Sequence, residues 1–298
     1  MIMEKCILCP RKCGADRKNG KKGYCGESNK IRVARTSLHQ WEEPCITGKN
    51  GSGTIFFSGC ALKCIFCQNY NIADSSIGKE FTEEELADAM IRLQEHKASN
   101  INLVTAGHFA EQLVQVIKRA REKGLHIPIV YNSSGYETVE TLRKLDGLID
   151  VYLPDCKFFD PKVSAKYAKA PDYFQVTEEA IEEMVRQAEF LCFDKETGNM
   201  LKGVIVRHLI LPGHTKDSME IIRYLHETYD NKIYLSIMNQ YTPMGRGEEY
   251  PNLNRGVTKR EYKKVIDYCL SLGVENAFIQ EGKTAGQSFI PAFDCSFL

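Results

Sequence analysis

The sequence predicts an α/β fold built on a parallel sheet, and three observations point there. From residue 50 onward, short apolar runs alternate with longer segments of helical period. Several of those runs are nearly continuous in Ile, Val, Leu, Phe or Tyr, as expected of parallel strands covered on both faces. Polar residues collect just after the strands, the rim where parallel barrels place their active sites. Alternating strands and helices imply right-handed crossovers, which an open doubly wound sheet or a full or partial barrel can both supply. The polar rim favours the barrel, and seven strands rather than eight make a complete one the lesser choice.

The strands are expected at 54–58, 101–105, 127–131, 149–153, 204–211, 233–237 and 276–280. The first helix opens at Thr82, where Glu85 three residues on completes a capping box and Phe81 with Leu86 forms a staple; it should reach about residue 94. Val257, Thr258, Glu261 and Tyr262 repeat that pattern at the last helix, which should stop at Gly273. Gly124 and Gly147 end two others. The polar residues at the strand ends are Cys60, Thr105 with His108, Asn132 with Ser133, Asp155 with Lys157, and Asn239 with Gln240.

Composition bounds the function. The 298 residues, 43% hydrophobic and 26% charged, can bury a large core. Lys plus Arg and Asp plus Glu each total 39, so no global field draws the chain to nucleic acid or a membrane. No run approaches a membrane span, and MIMEKCILCP lacks a signal-peptide core. A reducing cytoplasm is therefore expected. Twelve cysteines are too dilute for a disulfide scaffold, and seven fall in two clusters with metal-ligand spacing.

The first cluster is Cys60, Cys64 and Cys67 in GCALKCIFCQNY, directly after a buried strand. Three thiolates are one short of a closed structural site and leave a coordination position open. The plainer alternatives are a zinc knuckle borrowing a remote fourth ligand, in a scaffold or nucleic-acid adaptor without catalysis, or buried thiols without a metal. The C-x3-C-x2-C triplet, with Phe66 before its last cysteine, resembles the motif of radical S-adenosylmethionine enzymes. The resemblance implies an incomplete (β/α)6 barrel, open at the side to a large substrate. It also implies a [4Fe-4S] cluster whose unligated iron holds S-adenosylmethionine for cleavage to a 5′-deoxyadenosyl radical that abstracts hydrogen. Phe66 would lie against the adenine, although for an isolated aromatic core packing is the better explanation.

Over about residues 50 to 290 the chain resembles the pyruvate formate-lyase activating enzymes, in the uncharacterised branch with a CxLCPRxCG opening. That family carries a GGE-type motif after its second strand, where this chain has Thr105-Ala106-Gly107-His108 without the glutamate. The resemblance implies that carbonyls of Ala106 and Gly107 accept from the cofactor ammonium, while His108 faces substrate or is structural. It implies that Asn132 and Asp155 line the cofactor pocket with Ser133 in the same turn, that a monovalent cation can sit there, and that Lys157 reaches the cofactor carboxylate. A plain Asp155–Lys157 surface salt bridge is the alternative. Either Arg207 or His208 faces inward by alternation, and Arg207 would contact the carboxylate. MNQYTPMG is expected to form a substrate-facing loop. The implied partners are a reductant such as flavodoxin or ferredoxin and a glycyl radical enzyme, with another peptide or a small metabolite as the alternative hydrogen donor.

The second cluster is Cys6, Cys9, Cys13 and Cys25, set among Gly14, Gly20, Gly23 and Gly26. Four thiols complete a tetrahedral site unaided, and zinc or a second iron-sulfur cluster both fit. Residues 1–30 hold eight Lys or Arg against three Asp or Glu, a net +5 that compensates the thiolates and makes a nucleic-acid ribbon the lesser reading. The chain thus divides into a Cys-rich segment and linker, 1–49, and a barrel, 50–298. The linker around Trp41, Glu42, Glu43 and Cys45 is expected as a lid over the barrel mouth. Cys45, Cys192, Cys269 and Cys295 read as buried thiols, and Cys156 points away from Asp155 and Lys157.

Overall fold

The computed structural model describes residues 5–244, 249–280, 291 and 293–298. An antiparallel pair, β1 (Ile31–His39) and β2 (Ser52–Phe57), is joined through α1 (Pro44–Thr47). Next come α2 (Tyr70–Ala73), a short β3 (Lys79–Phe81) against β1, and α3 (Glu83–Glu95). The β/α steps continue through β4 (Ile101–Val104) and α4 (Ala110–Glu122), then β5 (Ile129–Ser133) and α5 (Val139–Arg143). β6 (Val151–Pro154) is followed by α6 (Pro161–Ala168) and α7 (Tyr173–Ala188). β7 (Cys192–Phe193) lies antiparallel to β8 (Met200–Leu209), and α8 (Thr215–Tyr229) follows. β9 (Tyr234–Met238), α9 (Lys259–Ser271) and β10 (Ala277–Ile279) complete the order.

The sheet runs β10-β9-β8-β6-β5-β4-β2-β1-β3, and every pairing from β2 to β10 is parallel. All seven expected strands are present, displaced by one to four residues at their ends, and six β/α units precede β10. β10 and β1 are not paired among the described residues, so the barrel is partial and open at the side. Apolar periodicity marks a strand but not its register, which backbone pairing with neighbours decides. The sequence reading missed β1, β3 and β7; β1 falls in the stretch assigned to the N-terminal segment and linker, yet pairs with β2 from Val33 to His39. The capping boxes at Thr82 and Thr258 form as expected.

Alternation along the strands divides the interior. Ile55, Phe57, Leu103, Ile129, Tyr131, Tyr152, Val204 and Val206 face the helices, and Leu86, Met90, Leu113 and Ile117 cover them. On the opposite face Val130, Val151, Leu153 and Ile205 pack with Met200, Cys45 and Ile46 at the N-terminal end of the barrel. This overturns the expected lid. Because β1 is antiparallel to β2, His39 pairs with Ser52 at the start of β2, which delivers the linker to the floor rather than the mouth. Asn100 and Ser99 bind α1 there, donating to the carbonyls of Ile46 and Thr47. Cys45 and Cys269 are buried as expected, whereas Cys192 is half-buried in the two-residue β7 and Cys295 is exposed in the C-terminal tail.

Candidate active site

The cysteine loop begins at Gly59, whose φ of +84° and crowding exclude a side chain: a Cβ there would lie 2.6 Å from Glu27 Cγ and 2.8 Å from the Cys25 carbonyl. The Cys60 amide donates to that carbonyl at 3.2 Å, the Ile65 amide to Tyr167 O at 2.9 Å, and the Cys67 amide to Cys64 O at 3.1 Å. Cys60, Cys64 and Cys67 are thereby held, half-buried, at the rim of a cavity of about 550 Å³. Phe66 lines the same cavity and meets Phe158, Tyr167 and Tyr241 edge-on at 5.9–6.4 Å, so it packs and faces the site at once.

Burial pushes the Cys64 thiol up, against the pull of Lys157, and raises Cys67 to about 12, with Cys60 adding to both. Left to themselves Cys64 and Cys67 would be neutral thiols; a bound cation is what would make their thiolates stable here. The donor chemistry therefore fits an iron-sulfur cluster held through three sulfurs. Among the described residues no three His, Cys, Asp or Glu side chains converge as a single-ion site.

Beneath the rim runs a half-buried charged column. Lys157 Nζ lies 2.5 Å from Asp155 Oδ2, Asp155 Oδ1 accepts from Arg207 Nε at 3.1 Å, and Arg207 Nη1 reaches Glu42 Oε2 at 3.1 Å. Arg207 Nη2 donates to Asn132 Oδ1 at 2.5 Å, and Asn102 Nδ2 donates to Glu42 Oε1 at 3.0 Å. Strand register builds this column: Arg207 pairs with Ser236, and bridges to Asp155 across β6 and β8. Desolvation would raise the Asp155 carboxyl, but Lys157 and Arg207 outweigh it and hold it below the usual range. Asp155–Lys157 is accordingly a half-buried pair inside the cavity, not a surface one.

Asn132, Ser133, Asp155, Lys157 and Arg207 all line the cavity. Arg207 is the inward member of its pair, and its guanidinium is engaged by Asp155, Glu42 and Asn132. His208 turns outward and its Nδ1 meets Cys156 O at 2.8 Å; Cys156 is buried on that same outer side. In the turn after β4, Thr105 with φ +60° lines the cavity, while Ala106 and Gly107 lie behind it and Ala106 O accepts from the Phe109 amide. Gly107 backs onto Glu137, so close that a Cβ would lie 2.8 Å from its Cδ. His108 is structural: its Nε2 meets Ser58 O at 2.7 Å, and burial, with Arg17 adding, lowers it to about 3.

Met238 and Gln240 line the cavity, but Tyr241 is buried and donates to Leu253 O at 2.7 Å. Gly245, the last residue of that expected loop, lies outside the described residues. Sequence reasoning missed Glu42 and Glu43 as floor residues, and Ser236 beside them. The only signal was the EEP run itself, since nothing local says which way β1 leads it.

The four N-terminal thiols are gathered but unequal. Cys9 and Cys25 are buried, Cys6 is half-buried and Cys13 exposed. A Cβ at Gly23 would stand 3.1 Å from Cys13 Sγ and 3.5 Å from Cys25 Sγ, so the glycine opens room for both. Burial raises Cys9 to about 12, while backbone amides of Ala15 and Tyr24 lower Cys13 despite its own desolvation. The closed tetrahedral arrangement expected of them is not formed among the described residues.

Comparison with known proteins agrees with this geometry. Residues 54–225 match the radical SAM superfamily profile. The chain is 30% identical over 273 residues to an uncharacterised protein of Methanocaldococcus jannaschii, covering 89% of this chain and 74% of that one. It is 30% identical over 239 residues to the pyruvate formate-lyase-activating enzyme of Clostridium pasteurianum, covering 78% and 88%. Methylornithine synthase shares the fold, with a TM-score of 0.50 at 15% identity over 71% of this chain and 59% of that one. No helix among the described residues is long and apolar enough to cross a membrane. The chain belongs to the radical SAM superfamily, which implies a [4Fe-4S] cluster and S-adenosylmethionine as its cofactors.

Proposed function

We propose that the protein is an activating enzyme of the kind its relatives represent, drawing a hydrogen atom from a glycyl radical enzyme or another peptide. The observation that carries this is the placement of Cys60, Cys64 and Cys67 on the rim of a laterally open barrel, above a half-buried column of charge. Once bound, the cluster and S-adenosylmethionine supply one-electron cleavage to methionine and a 5′-deoxyadenosyl radical. The chain does the rest. Cys60, Cys64 and Cys67 hold the metal, Lys157 offsets the negative charge of the thiolates, and Asp155 attracts the sulfonium. Asn132, Ser133 and Thr105 orient the nucleoside, with Phe66 against its base, and the apolar cluster around Ile46 closes the N-terminal end of the barrel to water.

A reductant such as flavodoxin or ferredoxin would deliver the electron at the rim. The N-terminal thiols Cys6, Cys9, Cys13 and Cys25 would hold a second metal, zinc or iron-sulfur, in the segment that braces the cysteine loop. The test is anaerobic reconstitution followed by dithionite and S-adenosylmethionine. Wild type should form 5′-deoxyadenosine and absorb broadly at the violet end of the visible spectrum, and Cys60→Ala should do neither. Formation of the product by Cys60→Ala at the wild-type rate would overturn the assignment.

A further inference from the structure

The cavity has a second end. Its rim lies past the C-terminus of β2, and its floor is the linker entering at that strand's start. Six residues at about 3.3 Å each put roughly 20 Å between these ends. The charged side chains lining the cavity among the described residues are Glu42, Glu43, Asp155, Lys157 and Arg207. The two cations are already used: Lys157 pairs with Asp155, and Arg207 with Asp155 and Glu42. Glu43 is left over. It is only 7% exposed, and among the described residues it has no ion pair and its Oε2 has no hydrogen-bond partner.

An orphaned buried carboxylate oxygen is expensive, and native proteins keep one where something is to be received. We infer that the cavity floor is a cation subsite, in which Glu43 takes an ammonium or guanidinium group of the hydrogen donor. Ser236 lines the cavity beside Glu43 and helps lower its carboxyl. Burial pushes the Glu43 carboxyl up while Arg207 pulls it down, and an arriving cation would secure its charge. The aromatic rings of Trp41, Phe56 and Phe278 also line the cavity and offer faces to a cation on its way in. Trp41, the sole tryptophan, is 60% exposed at the open side.

This subsite rests on the proposed function, since it describes the molecule that function would act upon. Its test is calorimetric titration of reconstituted holoenzyme, carrying S-adenosylmethionine, with four probes. Agmatine and the tripeptide Gly-Lys-Gly, capped by N-acetyl and C-amide groups, are cationic; 1-butanol and the equally capped Gly-norleucine-Gly are their uncharged counterparts. Saturable binding of at least one cationic probe, tenfold or more tighter than its counterpart, is expected. Glu43→Gln should weaken that binding tenfold without lowering Tm, because an isosteric amide relieves a buried charge. Tighter agmatine would identify a small amine as the donor, and tighter Gly-Lys-Gly a basic peptide.

Equal binding of charged and uncharged probes, binding of none, or cation binding unchanged in Glu43→Gln would overturn the subsite. The comparison of charged with uncharged probes stands even if Glu43→Gln does not fold. 5′-Deoxyadenosine formed by the same samples without probe separates the two ideas: its absence removes the proposed function, while its presence alongside indifference to charge removes the subsite alone.

Discussion

Glu137 shows how a single buried group writes itself into the pH dependence of stability. Desolvation raises its carboxyl to about 7, against a hydrogen bond with Ser133 that lowers it. As pH climbs past 4.5, the unfolded chain ionises while the folded one stays protonated, so stability falls until pH reaches about 7 and is level above it. Glu137→Gln should remove that fall, gaining about 3 kcal/mol over wild type at pH 8 and nothing at pH 4, as followed by Tm across the range. Arg207 presents the opposite case, a charge whose loss strands a partner. Arg207→Ala leaves the half-buried Glu42 without a cation while Asp155 keeps Lys157, and should cost about 1.5–3 kcal/mol. Arg207→Lys should recover little, since one ammonium cannot fork to Asp155, Glu42 and Asn132 together. Chemical denaturation of the two variants checks both statements.

Among the elements, α9 is the best signposted and shows how a cap reaches beyond its helix. Thr258 accepts from the Glu261 amide at 3.2 Å, and Glu261 accepts back from the Thr258 amide at 2.9 Å. Glu261 also takes a bidentate contact from Arg255 and the Gly213 amide, tying α9 to the loop after β8. Arg255 is the main reason its carboxyl lies well below the usual range, so its contribution is present at neutral pH and lost on strong acidification. Thr258→Ala should cost about 1 kcal/mol and Glu261→Ala more, since the second change also frees Arg255 and Gly213; thermal melts distinguish them. β1 is the contrasting element. Its IRVARTSLH run mixes charged and apolar residues, and only pairing with β2 and β3 identifies it as a strand.

Across the whole molecule, the N-terminal segment is a brace on the cysteine loop. Arg11 Nε and Nη2 donate to Ala61 O and Ala168 O, both at 2.9 Å, and its guanidinium stacks over Tyr24 at 4.5 Å. Cys25 O takes the Cys60 amide, and Arg17 donates to His108 O at 2.6 Å. Three distant stretches are thus tied together beside the rim. Removing one charged donor from such a site is worth about 1.5–3 kcal/mol, so Arg11→Ala should release iron to a chelator roughly tenfold faster than wild type. The decay of the visible absorption with time measures it. An unchanged decay would mean that the loop holds its shape without the brace.

The sequence by itself determined what depends on local order: seven strands, their β/α alternation, two capping boxes, and the cysteine triplet with its polar rim. Periodicity, capping and ligand spacing act over a few residues, so they can be read along the chain. Only the tertiary structure decided where the linker goes, which of Arg207 and His208 faces inward, and that Ala106 and Gly107 stand behind Thr105. Those outcomes depend on the sense of β1 relative to β2 and on strand register, which backbone hydrogen bonds between distant segments set. Glu42 and Glu43 carry the same chemistry in either arrangement, and what makes them part of the cavity is the antiparallel turn that carries them beneath the barrel.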